Sequence, residues 1–79
     1  MFYVYLLNGS DRRTYVGCTN DLKDRMSRHQ AGHVSATKGK RPLELFAYVA
    51  LREKDRAYKF EKYLKTGSGR AFLKRHFLG

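Results

Sequence analysis

Apolar residues fill both alternating sets of positions in the run at 2–7, which reads FYVYLL. Side chains alternate between the two faces of a strand, so a run that is apolar on both faces is typical of a central strand covered on both sides. Turn-forming residues follow at 8–11, and a second short run begins at Tyr15. This pattern predicts a β-hairpin whose first strand lies in the middle of a small sheet.

The length of the hairpin loop decides how Tyr5 and Tyr15 face each other. A three-residue loop at 9–11 makes the two tyrosines direct cross-strand neighbours on one face, whereas a two-residue loop places them on opposite faces. We expect the three-residue loop. Taken alone, the hairpin favours a packing role for both residues, because tyrosine is a common β-former.

Helical and strand patterns alternate after the hairpin. Leu22, Met26 and His29 recur at helical spacing, and Gly32 marks the end of that helix. The β-formers in LELFAYVAL favour a third strand, with a short helix as the alternative because of its alanines. The predicted elements are a helix at 20–31, a loop at 32–42, a strand at 43–51, a helix at 53–66, a break at 66–69 and a third helix at 70–77.

The charge of the chain narrows the class of partner. Its 79 residues include 17 Lys or Arg and 7 Asp or Glu, for a net charge of +10. The basic residues are spread along the chain, so we expect a folded cationic surface that binds a polyanion. Nucleic acid is the first candidate for this partner and an anionic membrane surface the second. The membrane is the weaker candidate, because the basic residues do not lie on one amphipathic helix.

Length and cysteine content indicate one small domain, spanning 1–79. Cys18 is the only cysteine, so no disulfide forms within the chain, and a small buried hydrophobe is its favoured interpretation. No apolar run approaches the roughly 18 residues of a membrane span, and the chain starts directly in a strand pattern rather than a signal peptide. We therefore expect a cytoplasmic protein that has no membrane span.

Three side chains on the predicted helices are candidates for chemistry. Arg25 and His29 are four residues apart and therefore lie on one side of the first helix. Arg25 flanks the apolar stripe and can reach over the sheet edge toward the tyrosines, with a solvated arginine as the alternative. Glu61 lies in the apolar face of the second helix, where a carboxylate is costly unless it is paired or binds a metal. An ion pair with an arginine and a functional carboxylate are the two interpretations of Glu61.

The loop at 32–42 carries a basic cluster formed by Lys38, Lys40 and Arg41. Functional loops concentrate on protein surfaces, and lysine and arginine side chains are the usual contacts to phosphates. A solvated linker is the alternative interpretation. We expect this cluster to bind the backbone of a nucleic acid.

Taken in order, these residues resemble the GIY-YIG nuclease superfamily. The similarity is closest to the small standalone branch of this superfamily, in which a helix is followed by a segment like FEKYLKTGSGR at 60–70. Excision-repair and intron homing endonucleases carry a related catalytic module. Tyr3 stands where the family name has glycine, and no asparagine after Glu61 matches the one that some relatives use. The matching segments are YVY at 3–5, YVG at 15–17 and CTNDL at 18–22, together with Arg25, His29 and Glu61.

The resemblance implies a fold and an activity. The fold is α/β, and more narrowly of the α+β class. It has a three-stranded antiparallel sheet of order 2-1-3, flanked by three helices. The chain order of these elements is β-β-α-β-α-α. The activity is metal-dependent endonucleolytic hydrolysis of phosphodiester bonds in DNA, including structured or repair-intermediate DNA, with RNA as the other substrate. A non-catalytic nucleic-acid-binding module on the same fold is the alternative. A protein partner is the candidate source of specificity, because the chain has no recognisable DNA-reading motif.

The resemblance also implies a role for each candidate residue. Glu61 would hold one divalent ion, Mg²⁺ or Mn²⁺. Tyr15 would be the general base, and Arg25 would bind the non-bridging phosphate oxygens and supply the positive charge that a phenol with a pKa of about 10 needs. Tyr5 would orient the water or the phosphate. His29 would fix Arg25 or the phosphate, or transfer a proton.

Overall fold

The strand β1 (Phe2–Asn8) is the central strand of the sheet. It pairs antiparallel with β2 (Thr14–Thr19) on one side and β3 (Glu44–Leu51) on the other, which gives the order β2-β1-β3. Four consecutive residues, Val4 to Leu7, are buried, as expected of a strand covered on both faces. The structure is a computed structural model and describes residues 1–78. It confirms the predicted α+β fold and strand order.

Three helices complete the fold of residues 1–78, and the segment predicted as the third strand is β3 rather than a short helix. The first two helices begin and end within two residues of their predicted bounds. None of the helices in the described part of the chain has the length and apolar character needed to span a bilayer. The helices are α1 (Leu22–Gln30), α2 (Lys54–Leu64) and α3 (Gly67–His76), and a 3₁₀ turn covers Lys38–Lys40 between α1 and β3.

The sheet separates two apolar clusters, one on each face. On one face, Val4 and Leu6 pack with the buried Cys18 against residues of α2 and α3, including Leu64 and Leu73. On the other face the buried residues are Tyr5, Leu7 and Leu43, and half-buried residues of α1 pack against them. The burial of Cys18 agrees with its interpretation as a small core residue.

The hairpin loop is longer than the sequence suggested. Asn8 pairs with Thr14, so the loop spans residues 9–13 rather than 9–11. Asp11 organises the loop, because its Oδ1 accepts a hydrogen bond from the Arg13 amide at 3.1 Å. Arg12 between them takes a left-handed conformation with a φ of 63°. The turn-forming residues at 8–11 are therefore only the first part of the turn.

The longer loop shifts the hairpin register by two residues. Tyr5 faces Gly17, and Tyr15 faces Leu7. The prediction that Tyr5 and Tyr15 are direct cross-strand neighbours is therefore wrong. Because side chains alternate with period two, a shift by two keeps both tyrosines on the same face, where they belong to one apolar cluster. The two-residue alternative, which puts them on opposite faces, is also wrong.

Helix α3 begins at Gly67, three residues before its predicted start at 70. Thr66 caps the helix, since its hydroxyl oxygen accepts a hydrogen bond from the Gly69 amide at 3.1 Å. Gly69 is buried, and a Cβ at this position would collide with the Tyr63 carbonyl oxygen of α2. The segment TGSG at 66–69 therefore marks a helix cap and a close approach of two helices rather than an extended break.

Candidate functional site

Tyr5 reaches the edge of the sheet because its partner on β2 is a glycine. The Tyr5 ring lies across Gly17, and a Cβ on Gly17 would collide with the hydroxyl end of that ring. β2 is an edge strand, so a side chain that crosses it arrives at the border of the sheet. Tyr5 nevertheless remains only 3% exposed, which shows that other residues cover it there.

The Tyr5 hydroxyl meets two side chains of α1. His29 Nε2 lies 2.9 Å from the hydroxyl oxygen in a buried hydrogen bond. The Arg25 guanidinium lies beside the same hydroxyl, and its Nη1 donates to the Cys18 carbonyl at 3.5 Å. The spacing of four residues carries Arg25 and His29 to one side of the helix. Tyr5, Arg25 and His29 therefore converge at the β2 edge.

Burial sets the protonation of these side chains. It raises the pKa of the Tyr5 hydroxyl above its ordinary value, and the adjacent Arg25 partly opposes that shift. Burial also lowers the pKa of the His29 imidazole, and the positive charge of Arg25 lowers it further. Tyr5 and His29 are therefore both neutral at pH 7.

Glu61 approaches the same edge from α2. Its side chain is 19% exposed, and its Oε2 accepts a hydrogen bond from Lys65 Nζ at 3.0 Å. The ion pair is therefore made with a lysine one turn along the helix, not with the arginine that the sequence suggested. Burial is the main cause that raises the pKa of the Tyr5 hydroxyl and of the Cys18 thiol. The negative charge of Glu61 also raises both pKa values, so the carboxylate lies near both groups. The β2-edge cluster consists of Tyr5, Arg25, His29 and Glu61.

Tyr15 lies outside the β2-edge cluster. Its hydroxyl donates to Asp11 Oδ2 at 2.6 Å, and this hydrogen bond is the main cause that raises the pKa of Tyr15 and lowers the pKa of the Asp11 carboxyl. The charges that act on the Tyr15 hydroxyl are those of Asp11 and Arg13. The tyrosine that lies beside Arg25 is Tyr5, contrary to the expectation that Arg25 supplies the field for Tyr15.

A basic groove opens between β2 and α3, with a volume of about 960 Å³. Among the residues that the structure describes, no aspartate or glutamate lines this groove. Tyr15 lines it, and so does Lys65, the ion-pair partner of Glu61. The basic residues that line it are Arg13, Lys65, Arg70 and Lys74.

Internal contacts occupy part of the basic cluster in the loop at 32–42. Arg41 Nε donates to the Lys38 carbonyl at 3.1 Å, and Arg41 Nη1 donates to the Gln30 carbonyl at 3.2 Å. Arg41 therefore ties the loop to the end of α1, while the Lys38 side chain is exposed and Lys40 is half-buried. A role for Lys38, Lys40 and Arg41 in binding phosphates stays a prediction.

Sequence reasoning missed three side chains that contact Tyr15, His29 and Glu61. Lys65 could have been found, because a glutamate and a lysine four residues apart on a helix form an ion pair. The sequence marks Asp11 only as a turn former, although it also holds the Tyr15 hydroxyl. Thr37 carries no signal of its own, since its burial and its contact to His29 depend on how the loop packs.

Glu61 is the carboxylate that suits a divalent ion. Among residues 1–78, no three His, Cys, Asp or Glu side chains come close enough together to form a metal site. Mg²⁺, however, commonly binds through one or two carboxylates, keeps several waters and uses substrate phosphates as further ligands. Glu61 fits this arrangement, because it is partly exposed and Lys65 engages only its Oε2 among the described residues.

The sheet order β2-β1-β3, with tyrosine, arginine and glutamate side chains at one edge, defines the class of protein as a GIY-YIG catalytic domain. The sequence model of the GIY-YIG catalytic domain matches residues 1–75, and the chain therefore belongs to the GIY-YIG family. Membership of this family places the domain among those with an endonuclease-type reaction. Divalent metals are typical of its nucleases.

Within this family the chain is similar to proteins called UPF0213. It is 40% identical over 63 residues to one from Vibrio campbellii, an alignment that covers 78% of this chain and 61% of the relative. It is 36% identical over 68 residues to one from Cupriavidus pinatubonensis, covering 85% and 76% respectively. A solution NMR structure of a UPF0213 protein from Bacillus halodurans matches with a TM-score of 0.62 at 32% identity, covering 99% of this chain and 85% of that chain. The chain thus spans less than two thirds of the length of the Vibrio relative.

Replacing Gly17 tests how Tyr5 is positioned. We expect Gly17→Ala to lower the free energy of unfolding by about 1–3 kcal/mol, because the new methyl group forces the Tyr5 ring out of its place. Gly39→Ala is the matched control, since nothing lies within 4 Å of a Cβ at that position. Urea unfolding of both variants measures the effect. Equal stability of the two variants would show that Gly17 does not hold the ring in position.

Proposed function

We propose that this protein is a divalent-metal-dependent endonuclease that hydrolyses phosphodiester bonds in DNA. The observation that carries the proposal is the convergence of Tyr5, Arg25 and Glu61 at one sheet edge, beside a groove lined by basic residues. Hydrolysis of a phosphodiester needs a water to attack, a group to accept its proton and positive charge for the phosphate oxygens. Membership of the GIY-YIG family supports this reaction class.

Arg25 would bind the scissile phosphate. Its guanidinium is planar and always charged, and its parallel N–H groups match two phosphate oxygens. The Cys18 carbonyl and the Tyr5 hydroxyl lie beside the guanidinium, and His29 in turn holds that hydroxyl. Because these neighbours already restrict the arginine, it loses little freedom when a phosphate binds. Tyr5 and His29 would therefore act by orienting Arg25 and the phosphate.

Tyr15 would accept the proton of the attacking water. It is the more accessible of the two tyrosines and lines the basic groove, whereas Tyr5 is only 3% exposed. A free phenol is a poor base at neutral pH because its proton-bearing form dominates. The hydrogen bond from Tyr15 to Asp11 would let the protonated phenol act as a base. As the Tyr15 oxygen takes a proton from water, the proton that it already carries would move to Asp11 Oδ2.

Glu61 would hold the divalent ion, which when bound supplies positive charge to the phosphate and the leaving oxygen. In the free protein Lys65 occupies this carboxylate. An ion pair between residues four apart on an exposed helix surface is worth about 0.3–0.5 kcal/mol, so releasing Lys65 costs little. The freed Lys65 side chain also lines the basic groove, where it would contact a phosphate of the bound strand.

The basic groove would hold the nucleic-acid strand beside the reaction centre. Its four cations lie in the hairpin loop, at the C-cap of α2 and on α3, and no described carboxylate lines it to repel a phosphate. Lys38, Lys40 and Arg41 would add phosphate contacts from the loop at 32–42. All of these contacts are to the backbone, so they would position the strand without reading its sequence.

Neutralising α3 tests the groove. We expect Arg70→Gln/Lys74→Gln to weaken DNA binding by about tenfold near physiological salt and to reduce the salt slope of log K by roughly two, through the loss of two phosphate contacts. Arg52→Gln/Lys59→Gln is the matched control: it removes one arginine and one lysine that are exposed and lie outside the groove. Fluorescence anisotropy across a salt series measures both. If the two double variants lose the same affinity, binding depends on net charge alone and the groove has no special role.

A non-catalytic nucleic-acid-binding module on the same fold is the second candidate. The ion pair between Glu61 and Lys65 favours it, because a carboxylate with a purely structural role would be paired in the same way. Both candidates predict binding that weakens steeply with salt, so affinity does not distinguish them. Dependence on a divalent ion does, since phosphate contacts through lysine and arginine need none.

A panel of substrates tests the proposed function. The panel contains duplex, single-stranded, flapped and branched forms of DNA and RNA, each incubated with the protein and Mg²⁺ or Mn²⁺. We expect endonucleolytic products from at least one DNA form. Cleavage of RNA alone would contradict the assignment of DNA as substrate, and binding without cleavage of any form would favour the binding module.

A further inference from the structure

Thr37 lies directly behind His29 on the side away from Tyr5. Its Oγ1 is 2.7 Å from His29 Nδ1, while His29 Nε2 is 2.9 Å from the Tyr5 hydroxyl. Thr37 is 2% exposed, His29 4% and Tyr5 3%. The three side chains therefore form a buried chain of hydrogen bonds that leads from the loop at 32–42 to the β2 edge.

The loop holds Thr37 in place through its backbone. The Thr37 amide donates to the Val34 carbonyl at 3.1 Å, and the Thr37 carbonyl accepts from the Lys40 amide at 2.9 Å. Ser35 and Ala36 beside it are exposed, so burial is particular to Thr37 in this part of the loop. A valine would fill nearly the same volume but could not accept a hydrogen bond, so packing alone does not explain the hydroxyl. The Thr37 hydroxyl is needed for its hydrogen bond with His29.

The neighbours of His29 fix which of its nitrogens carries the hydrogen. A neutral imidazole has one N–H donor and one acceptor nitrogen. Arg25 has only donors, and because it lies beside the Tyr5 hydroxyl it faces the oxygen lone pairs there. Among the described residues, His29 Nε2 is the one acceptor to which the buried Tyr5 hydroxyl hydrogen-bonds, so the Tyr5 hydrogen points toward it; Nδ1 then carries the hydrogen that faces Thr37 Oγ1.

We propose that Thr37 is a positioning residue for the reaction centre: its Oγ1 accepts the hydrogen bond from His29 Nδ1 and thereby holds Nε2 as the acceptor of the Tyr5 hydroxyl. With its hydrogen committed to His29, the Tyr5 oxygen presents its lone pairs to Arg25 and keeps the guanidinium aimed at the phosphate. This sequence of donors and acceptors from Tyr5 through His29 to Thr37, the hydrogen-bond order, is a property of the folded protein. Its effect on cleavage rests on the proposed function.

The tautomer of His29 is measured by NMR of protein with ¹⁵N-labelled histidine, which needs no activity. In the wild-type protein at pH 7 we expect the Nδ1–H form. Thr37→Ser retains the hydroxyl and keeps this form, whereas Thr37→Val removes the acceptor and shifts His29 toward Nε2–H. The Nε2–H form in the wild-type protein would overturn the proposal, and so would an unchanged tautomer in Thr37→Val. If Thr37→Val fails to fold, the His29 tautomer in the wild-type and Thr37→Ser spectra still tests the proposal.

Cleavage measures the consequence. We expect Thr37→Val to reduce the single-turnover rate on saturating DNA by about tenfold, the scale of one lost buried hydrogen bond, with DNA affinity within about twofold of wild type. Thr37→Ser should restore the rate, and Ser35→Ala, an exposed change in the same loop, should leave it unaltered. Full activity of a Thr37→Val protein whose tautomer has shifted would show that Thr37 orders His29 without serving catalysis. A wild-type protein with the expected tautomer but no cleavage would refute the proposed function and leave the hydrogen-bond order intact.

Discussion

Glu61→Gln should leave DNA binding within a few fold of wild type and reduce Mg²⁺-dependent cleavage by a hundredfold or more, on the order of the loss of a main electrostatic group. The amide has nearly the shape of the carboxylate but lacks the negative charge that holds a hard cation. Loss of the negative charge also breaks the ion pair between Glu61 and Lys65. An ion pair between residues four apart on a helix is worth only about 0.3–0.5 kcal/mol. The variant should therefore remain folded.

The control for Glu61→Gln is Glu44→Gln, which removes the same charge from an exposed position on β3. We expect Glu44→Gln to cleave at the wild-type rate. Single-turnover rates at saturating protein, measured over a Mg²⁺ titration, compare the two variants. Wild-type cleavage by Glu61→Gln at every Mg²⁺ concentration would exclude Glu61 as the metal ligand.

Tyr15→Phe should reduce the cleavage rate by about a hundredfold, within the range for loss of a general base, and leave DNA affinity nearly unchanged. Phenylalanine keeps the ring that packs against the apolar cluster and removes only the oxygen that would take the proton from water. Removing the hydroxyl also frees Asp11 from the hydrogen bond that lowers its pKa, so the Asp11 pKa should rise toward its ordinary value. NMR titration of the Asp11 carboxyl measures this change independently of activity.

The control for Tyr15→Phe is Tyr58→Phe, a hydroxyl deletion on the exposed face of α2. It should change neither the rate nor the affinity. If Tyr15→Phe retains the wild-type rate although its Asp11 pKa has risen, the hydrogen bond exists but Tyr15 is not the base. Tyr5 would then be the next candidate, because it lies beside Arg25.

The positions of the strands and helices were largely predictable, because local patterns determine them. The run at 2–7 is apolar on both alternating sets, and β1 is covered on both faces as that pattern requires. The hairpin loop was not predictable to the residue. Its extra length depends on the Arg13 amide bonding the Asp11 side chain and on a left-handed Arg12, and neither leaves a distinct mark in the sequence.

The candidate site was predictable only where its residues follow a helical or family spacing. Arg25 and His29 share one side of α1, and the structure brings both to the Tyr5 hydroxyl. The basic groove could not be anticipated, since Arg13 lies far from Lys65, Arg70 and Lys74 in the chain and meets them only when α3 packs near β2. Thr37 likewise becomes significant only through tertiary packing, because nothing in the sequence distinguishes it from the exposed residues beside it.

The most direct test of the central claim separates binding from hydrolysis in a single reaction. The wild-type protein is first bound to its best DNA substrate in EDTA, with occupancy followed by anisotropy, and excess Mg²⁺ is then added while intact strands are counted. We predict that the DNA is bound and uncut in EDTA and is cleaved after Mg²⁺ is added, whereas Glu61→Gln binds equally and leaves it intact. DNA that remains bound and uncut by the wild-type protein after Mg²⁺ or Mn²⁺ is added would contradict the claim that this GIY-YIG domain is a nuclease.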